Sequence, residues 1–79
     1  MYGTLSVINN TRKAISVYID EEVLFSDILP GEHTKRRPVP TGTRCAQILN
    51  SREKIAADIR FSVPKNMHVV LKISGTDVI

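Results

Sequence analysis

Seventy-nine residues, 42% of them apolar but only 5% aromatic and none of them Trp, suffice for one small domain with a modest core. That length excludes an enzyme with its own cofactor domain. The apolar fraction and the small net charge of +3 exclude a disordered tail, and no run approaches the roughly 20 apolar residues of a membrane-spanning helix.

Val and Ile total 17 residues against nine for Leu and Ala, with six Thr besides. Side chains branched at Cβ are stiff at χ1 and sit better on a pleated surface than in a helix. In chain order, Thr4, Ser6 and Ile8 alternate with Leu5 and Val7, the pattern of a strand with one buried face. Asn9-Asn10-Thr11 follows, residue types that reach left-handed backbone angles and suit a tight hairpin. Ile15, Val17 and Ile19 then oppose Ser16, Tyr18 and Asp20 in a second strand, closed by the polar turn Asp20-Glu21-Glu22. A short strand is expected over Val23 to Phe25, and Pro30-Gly31 fits the centre of a type II turn, with Pro presetting φ and Gly accepting φ > 0.

Thr34 to Val39 reads as another short strand. Pro38 and Pro40 cannot donate to a ladder, so this strand belongs at an edge. After the Pro40-Thr41-Gly42 break, Arg44 to Leu49 carries apolar groups on both faces, which suits a central strand. Asn50-Ser51-Arg52-Glu53 has the form of a helix capping box. The stretch after it alternates five times, however, with Ile55, Ala57, Ile59, Phe61 and Val63 on one face and Lys54, Asp58, Arg60 and Ser62 on the other. A strand is therefore expected, with 50–53 as its turn. Beyond Pro64-Lys65-Asn66, Met67, Val69, Leu71 and Ile73 alternate with His68, Val70, Lys72 and Ser74 in a last strand, and Asp77-Val78-Ile79 is apolar enough to dock or else frays. Turns recur every 8–12 residues or so, with no linker and no repeat. The expected fold is all-β: one domain over residues 1–79, a small antiparallel β-sandwich of about seven short strands, with a partly open barrel as the alternative.

The order of these features resembles the PEGA-type domains and a related envelope-domain family of unknown function. The resemblance rests on Gly3-Thr4-Leu5-Ser6-Val7, Ala14-Ile15-Ser16-Val17-Tyr18-Ile19-Asp20, the Pro30-Gly31 turn and Pro40-Thr41-Gly42-Thr43, and it spans residues 3–49. It implies a small, non-catalytic β-sandwich and carries no functional residues with it. The chain departs from that pattern at Thr11-Arg12-Lys13-Ala14, where only the Ala of the Pro-Glu-Gly-Ala signature is kept, and at Asp20-Glu21, which lacks the family's Gly.

Charge is unevenly distributed. Residues 1–34 set Arg12 and Lys13 against Asp20, Glu21, Glu22, Asp27 and Glu32. Residues 35–60 set Lys35, Arg36, Arg37, Arg44, Arg52, Lys54 and Arg60 against Glu53 and Asp58. If the middle strands are neighbours, those seven cations form a basic surface, with Tyr18 as the one aromatic platform beside it. They are the candidate contacts for a protein partner or for nucleic acid.

Chemistry has little to work with. The two histidines, His33 and His68, read as surface residues and Cys45 as a packed thiol, with no spacing that pairs Cys45 with His68. The acidic Asp20, Glu21, Glu22 and Asp27 lack an EF-hand pattern, no metal or phosphate-loop signature is present, and no cofactor is expected. A lone cysteine and the absence of a leader at Met1-Tyr2-Gly3-Thr4 fit a cytoplasmic protein, or an envelope protein whose leader has been removed. The expected function is a non-enzymatic interaction module that meets a protein partner or its own copies, without inserting in a membrane. The alternative is a small basic nucleic-acid-binding domain.

Overall fold

A computed structural model of the chain describes residues 1–74; the tail Asp77-Val78-Ile79 lies outside them. Seven strands form: β1 (Tyr2–Asn10), β2 (Ile15–Ile19), β3 (Glu22–Ile28), β4 (Arg37–Pro40), β5 (Gly42–Leu49), β6 (Ile55–Val63) and β7 (His68–Ser74). They make two sheets, ordered β4-β1-β7 and β3-β2-β5-β6. The sheets are separate rather than closed into a barrel, and no helix among the described residues is long and apolar enough to cross a membrane.

The period-two pattern produces the core directly. Leu5 and Val7 of β1, Ile15, Val17 and Ile19 of β2, Ala46 and Ile48 of β5, with Ile28, Val39, Val63 and Ile73, are buried between the sheets. Phe25 and Phe61 are only half-buried against this cluster, so branched aliphatics and not rings fill the centre.

Two departures from the expected fold share a cause. Asn9-Asn10-Thr11 does not turn a hairpin; β1 and β2 lie in different sheets, and the residues after Asn10 carry the chain across the sandwich. Neither asparagine takes a positive φ. The sandwich is not wholly antiparallel either, because β1 pairs in parallel with β7, from Thr4 opposite His68 to Asn10 opposite Ser74. All other strand pairs are antiparallel. A chain that leaves β1 for the second sheet leaves β1 free to pair with a strand made much later.

Asn9 anchors the crossing. It is fully buried, its Nδ2 donates to the carbonyls of Lys13 and Ile28, and its Oδ1 accepts the Thr11 N–H at 2.9 Å. The Thr11 hydroxyl lies 2.6 Å from the same Oδ1 and 2.7 Å from the Lys13 carbonyl. The other turns follow their residues. Asp20 and Glu21 both have positive φ, as a two-residue hairpin of type I′ requires, and Gly31 (φ 81°) closes the type II turn in which the Glu32 N–H donates to the Leu29 carbonyl.

Candidate functional site

The structure separates the basic residues of the middle region. Arg37 begins β4 in the three-stranded sheet. With Lys35 it lines a groove of about 440 Å³ shared with β3, beside Leu24, Phe25 and Glu32. Arg36 lies near the ring of His68, where its charge acts on that histidine. Arg44 and Arg60 are on neighbouring strands but opposite faces. Arg44 falls on the side of β5 that buries Ala46 and Ile48, and its Nη1 is ion-paired with the Asp20 carboxylate at 2.8 Å. Arg60 lies opposite Cys45 on the outer face. Arg52 and Lys54 sit at the β5–β6 turn, where their N–H groups donate to the Asn50 side chain. Tyr18 is half-buried on the outer face of β2, between Val23 and Gln47. These eight residues do not converge on one surface.

A polar cluster forms where the sequence offers only surface histidines. Thr4 and Ser6 point to the outer face of the three-stranded sheet, yet Ser6 is only 1% exposed because two imidazoles cover it. The Ser6 Oγ lies 2.9 Å from His33 Nε2 and 3.0 Å from His68 Nε2, while the Thr4 hydroxyl lies 2.9 Å from His68 Nδ1. The parallel register sets His68 beside Thr4, and an isolated bridge between Ile8 and His33 brings the second ring over β1. Sequence reasoning missed this cluster because its members are separated by up to 64 residues.

Ser6 has one hydroxyl proton, so it donates to one Nε2 and accepts from the other. Charging both rings would aim two N–H donors at one oxygen and strand the Ser6 proton. Desolvation holds the His68 pKa below its ordinary value, and the charges of Arg36 and His33 push the same way, against a smaller opposing effect from Thr4. Ser6, 1% exposed, offers almost no surface from which a bound molecule could be reached. Cys45 stands apart in the other sheet, with Asp20, Glu21 and Gln47 around it and no histidine. Among the described residues, no three His, Cys, Asp or Glu side chains gather as a metal ion would need.

The four sheet edges differ in how they are finished. The Thr34 N–H donates to Val7 and the Thr41 N–H to Met1, so the odd residues of β1 face the β4 side. Arg37 and Val39 therefore pair with β1, and Pro38 and Pro40 turn to the free edge, where they offer no N–H. The β3 edge is broken by register shifts opposite Ile15 to Tyr18 and by a positive φ at Asp27. Grooves of about 380 and 440 Å³ lined by both strands place β3 and β4 along one side of the sandwich.

β6 and β7 bound the other side, and neither contains a proline. β6 pairs with β5 without a break from Val63 to Ala57, and β7 keeps register with β1 throughout. The Cys45 carbonyl accepts from Asp20, so the odd residues of β5 face β2 and its even residues face β6. It follows that Ala57, Ile59 and Phe61 bond to β5, whereas the backbone groups of Asp58, Arg60 and Ser62 face outward. Comparison with protein-family models, with curated proteins and with solved structures finds no match to this chain.

Proposed function

We propose that this chain is a non-catalytic interaction module that binds by contact through an open strand edge, taking a protein partner or a second copy of itself. The observation that carries this reading is the contrast between edges. β3 and β4 are blunted by bulges and prolines, whereas β6 from Ala57 to Val63 and β7 along its whole length keep register and offer outward backbone donors and acceptors. The resemblance to PEGA-type domains points the same way, and so does the enclosure of Ser6. The nucleic-acid reading gains nothing from the placement of Lys35, Arg36, Arg37, Arg44, Arg52, Lys54 and Arg60, because phosphate binding needs cations on a shared face.

The test is to deny each open edge one N–H. Asp58→Pro on β6 and Val70→Pro on β7 leave the internal ladders intact, because both N–H groups point outward, or in β7 alternate away from the residues that bond β1. Association, measured by sedimentation of the purified protein and by retention of a protein partner, is expected to fall in at least one variant that stays folded by circular dichroism. Association unchanged in both would overturn the reading.

A further inference from the structure

We infer that the partner of the β6 edge is the β6 edge of a second copy, paired antiparallel about a two-fold axis that passes through Ile59. This rests on the reading of the chain as an edge-binding module and narrows it to one strand, one partner and one register.

The argument begins with backbone geometry. Asp58, Arg60 and Ser62 turn their N–H and C=O groups outward, so a symmetric antiparallel pairing must set even residues against even residues. Three registers near the middle of the strand satisfy this. A two-fold axis at Asp58 puts carboxylate against carboxylate, and one at Arg60 puts guanidinium against guanidinium. An axis at Ile59 sets Asp58 opposite the second copy's Arg60 and Arg60 opposite the second copy's Asp58. Like charges directly opposite destabilise a sheet and opposite charges stabilise it, so charge selects the third register. Both side chains are exposed, and the one ion pair among the described residues is Arg44 with Asp20, so neither Asp58 nor Arg60 is already neutralised by such a pair.

The apolar face agrees independently. One sheet has three strands and the other four, and Ala57, Ile59 and Phe61 of β6 are only half-covered, with Ile55 57% exposed. In the Ile59 register, Ile59 meets its own copy and Phe61 falls opposite Ala57. The largest of these side chains thus meets the smallest. The two four-stranded sheets become one continuous sheet. β7 offers no comparable match: its edge carries His68, Val70 and Lys72, with no acidic side chain to answer Lys72.

Three charge variants of the full chain test this by sedimentation equilibrium. Asp58→Arg and Arg60→Asp each place like charges twice across the axis, and each is expected to weaken dimerisation at least tenfold. An equimolar mixture of the two is expected to restore a dimer, now heteromeric, since each copy supplies what the other lacks. The exchanged double variant, Asp58→Arg with Arg60→Asp, is expected to dimerise like the original. A dimer that ignores all three changes but is lost in Asp58→Pro would overturn the register while leaving edge binding standing. A dimer that ignores Asp58→Pro as well would overturn the β6 assignment, and a protein that stays monomeric at concentrations near 1 mM would overturn self-association altogether.

Discussion

Replacing Asn9 by Ala tests how the chain is held as it passes from one sheet to the other. The amide uses both donors and its acceptor, all within a fully buried site. Truncation leaves the Thr11 N–H and the Ile28 carbonyl without these partners. The Lys13 carbonyl keeps the Thr11 hydroxyl at 2.7 Å. At about 1–3 kcal/mol for each of these two buried groups, the expected cost is roughly 2–6 kcal/mol. Native domains of this size are stable by only about 4–12 kcal/mol, so the loss is a large share of the total. With a urea m-value near 1 kcal/mol/M, the midpoint followed by far-UV circular dichroism should fall by about 2 M or more. Asn9→Asp should be at least as damaging at neutral pH, because a carboxylate oxygen would face the carbonyls of Lys13 and Ile28. An Asn9→Ala cost below about 0.5 kcal/mol with an unchanged slope would refute the argument, since it would mean that neither group needs the amide.

Three other outcomes are expected. Gly3→Ala should destabilise by about 1–3 kcal/mol in the same urea assay, since a Cβ there would lie 2.6 Å from Val63 Cγ1, 2.8 Å from the Pro64 carbonyl oxygen and 2.9 Å from that of Met67. Glu21→Gly should stabilise by about 1 kcal/mol by relieving a left-handed residue in the β2–β3 hairpin, read as a rise in thermal midpoint. Because the folded pKa of His68 lies below the unfolded value of 6.5, the unfolded chain binds the proton first as pH falls. The stabilising contribution of His68 is therefore complete above pH 6.5 and declines through and below it. A His68→Gln variant should show a shallower fall in thermal midpoint between pH 7.5 and 5, and an unchanged slope would argue against the cluster as drawn.

Local features of the fold were legible in the sequence, and distant pairings were not. The alternation names the buried face of β6 from Ala57 to Val63, while a register shift beside Ile55 leaves that residue, expected on the same face, 57% exposed; the apolar groups on both sides of 44–49 identify a central strand, and Pro38 and Pro40 mark an edge. Each of these depends on one residue and its near neighbours. The parallel pairing of β1 with β7 depends on residues more than sixty positions apart, and no local word encodes it. The same distance concealed the Ser6 cluster: Ser6, His33 and His68 look unremarkable singly, and the ring positions follow only from the register. Asn9 was misread because Asn favours turns; here its side chain saturates backbone groups inside the sandwich instead. The seven cations looked like one patch because they are close in sequence, but alternation within β5 and β6 sends Arg44 and Arg60 to opposite faces.

The parallel register of β1 and β7 also sets how the molecule would respond to tension. Tyr2 lies at the start of β1 and Ser74 at the end of β7. Since the strands run the same way and Ser74 lies opposite Asn10, these residues stand at opposite poles, separated by roughly eight residues of extended strand, or about 26 Å. A force drawing Tyr2 and Ser74 apart would slide the two strands along each other and strain all their cross-strand bonds at once. It would not unzip them one by one. Load along the β1–β7 pair is therefore carried in shear by the whole ladder.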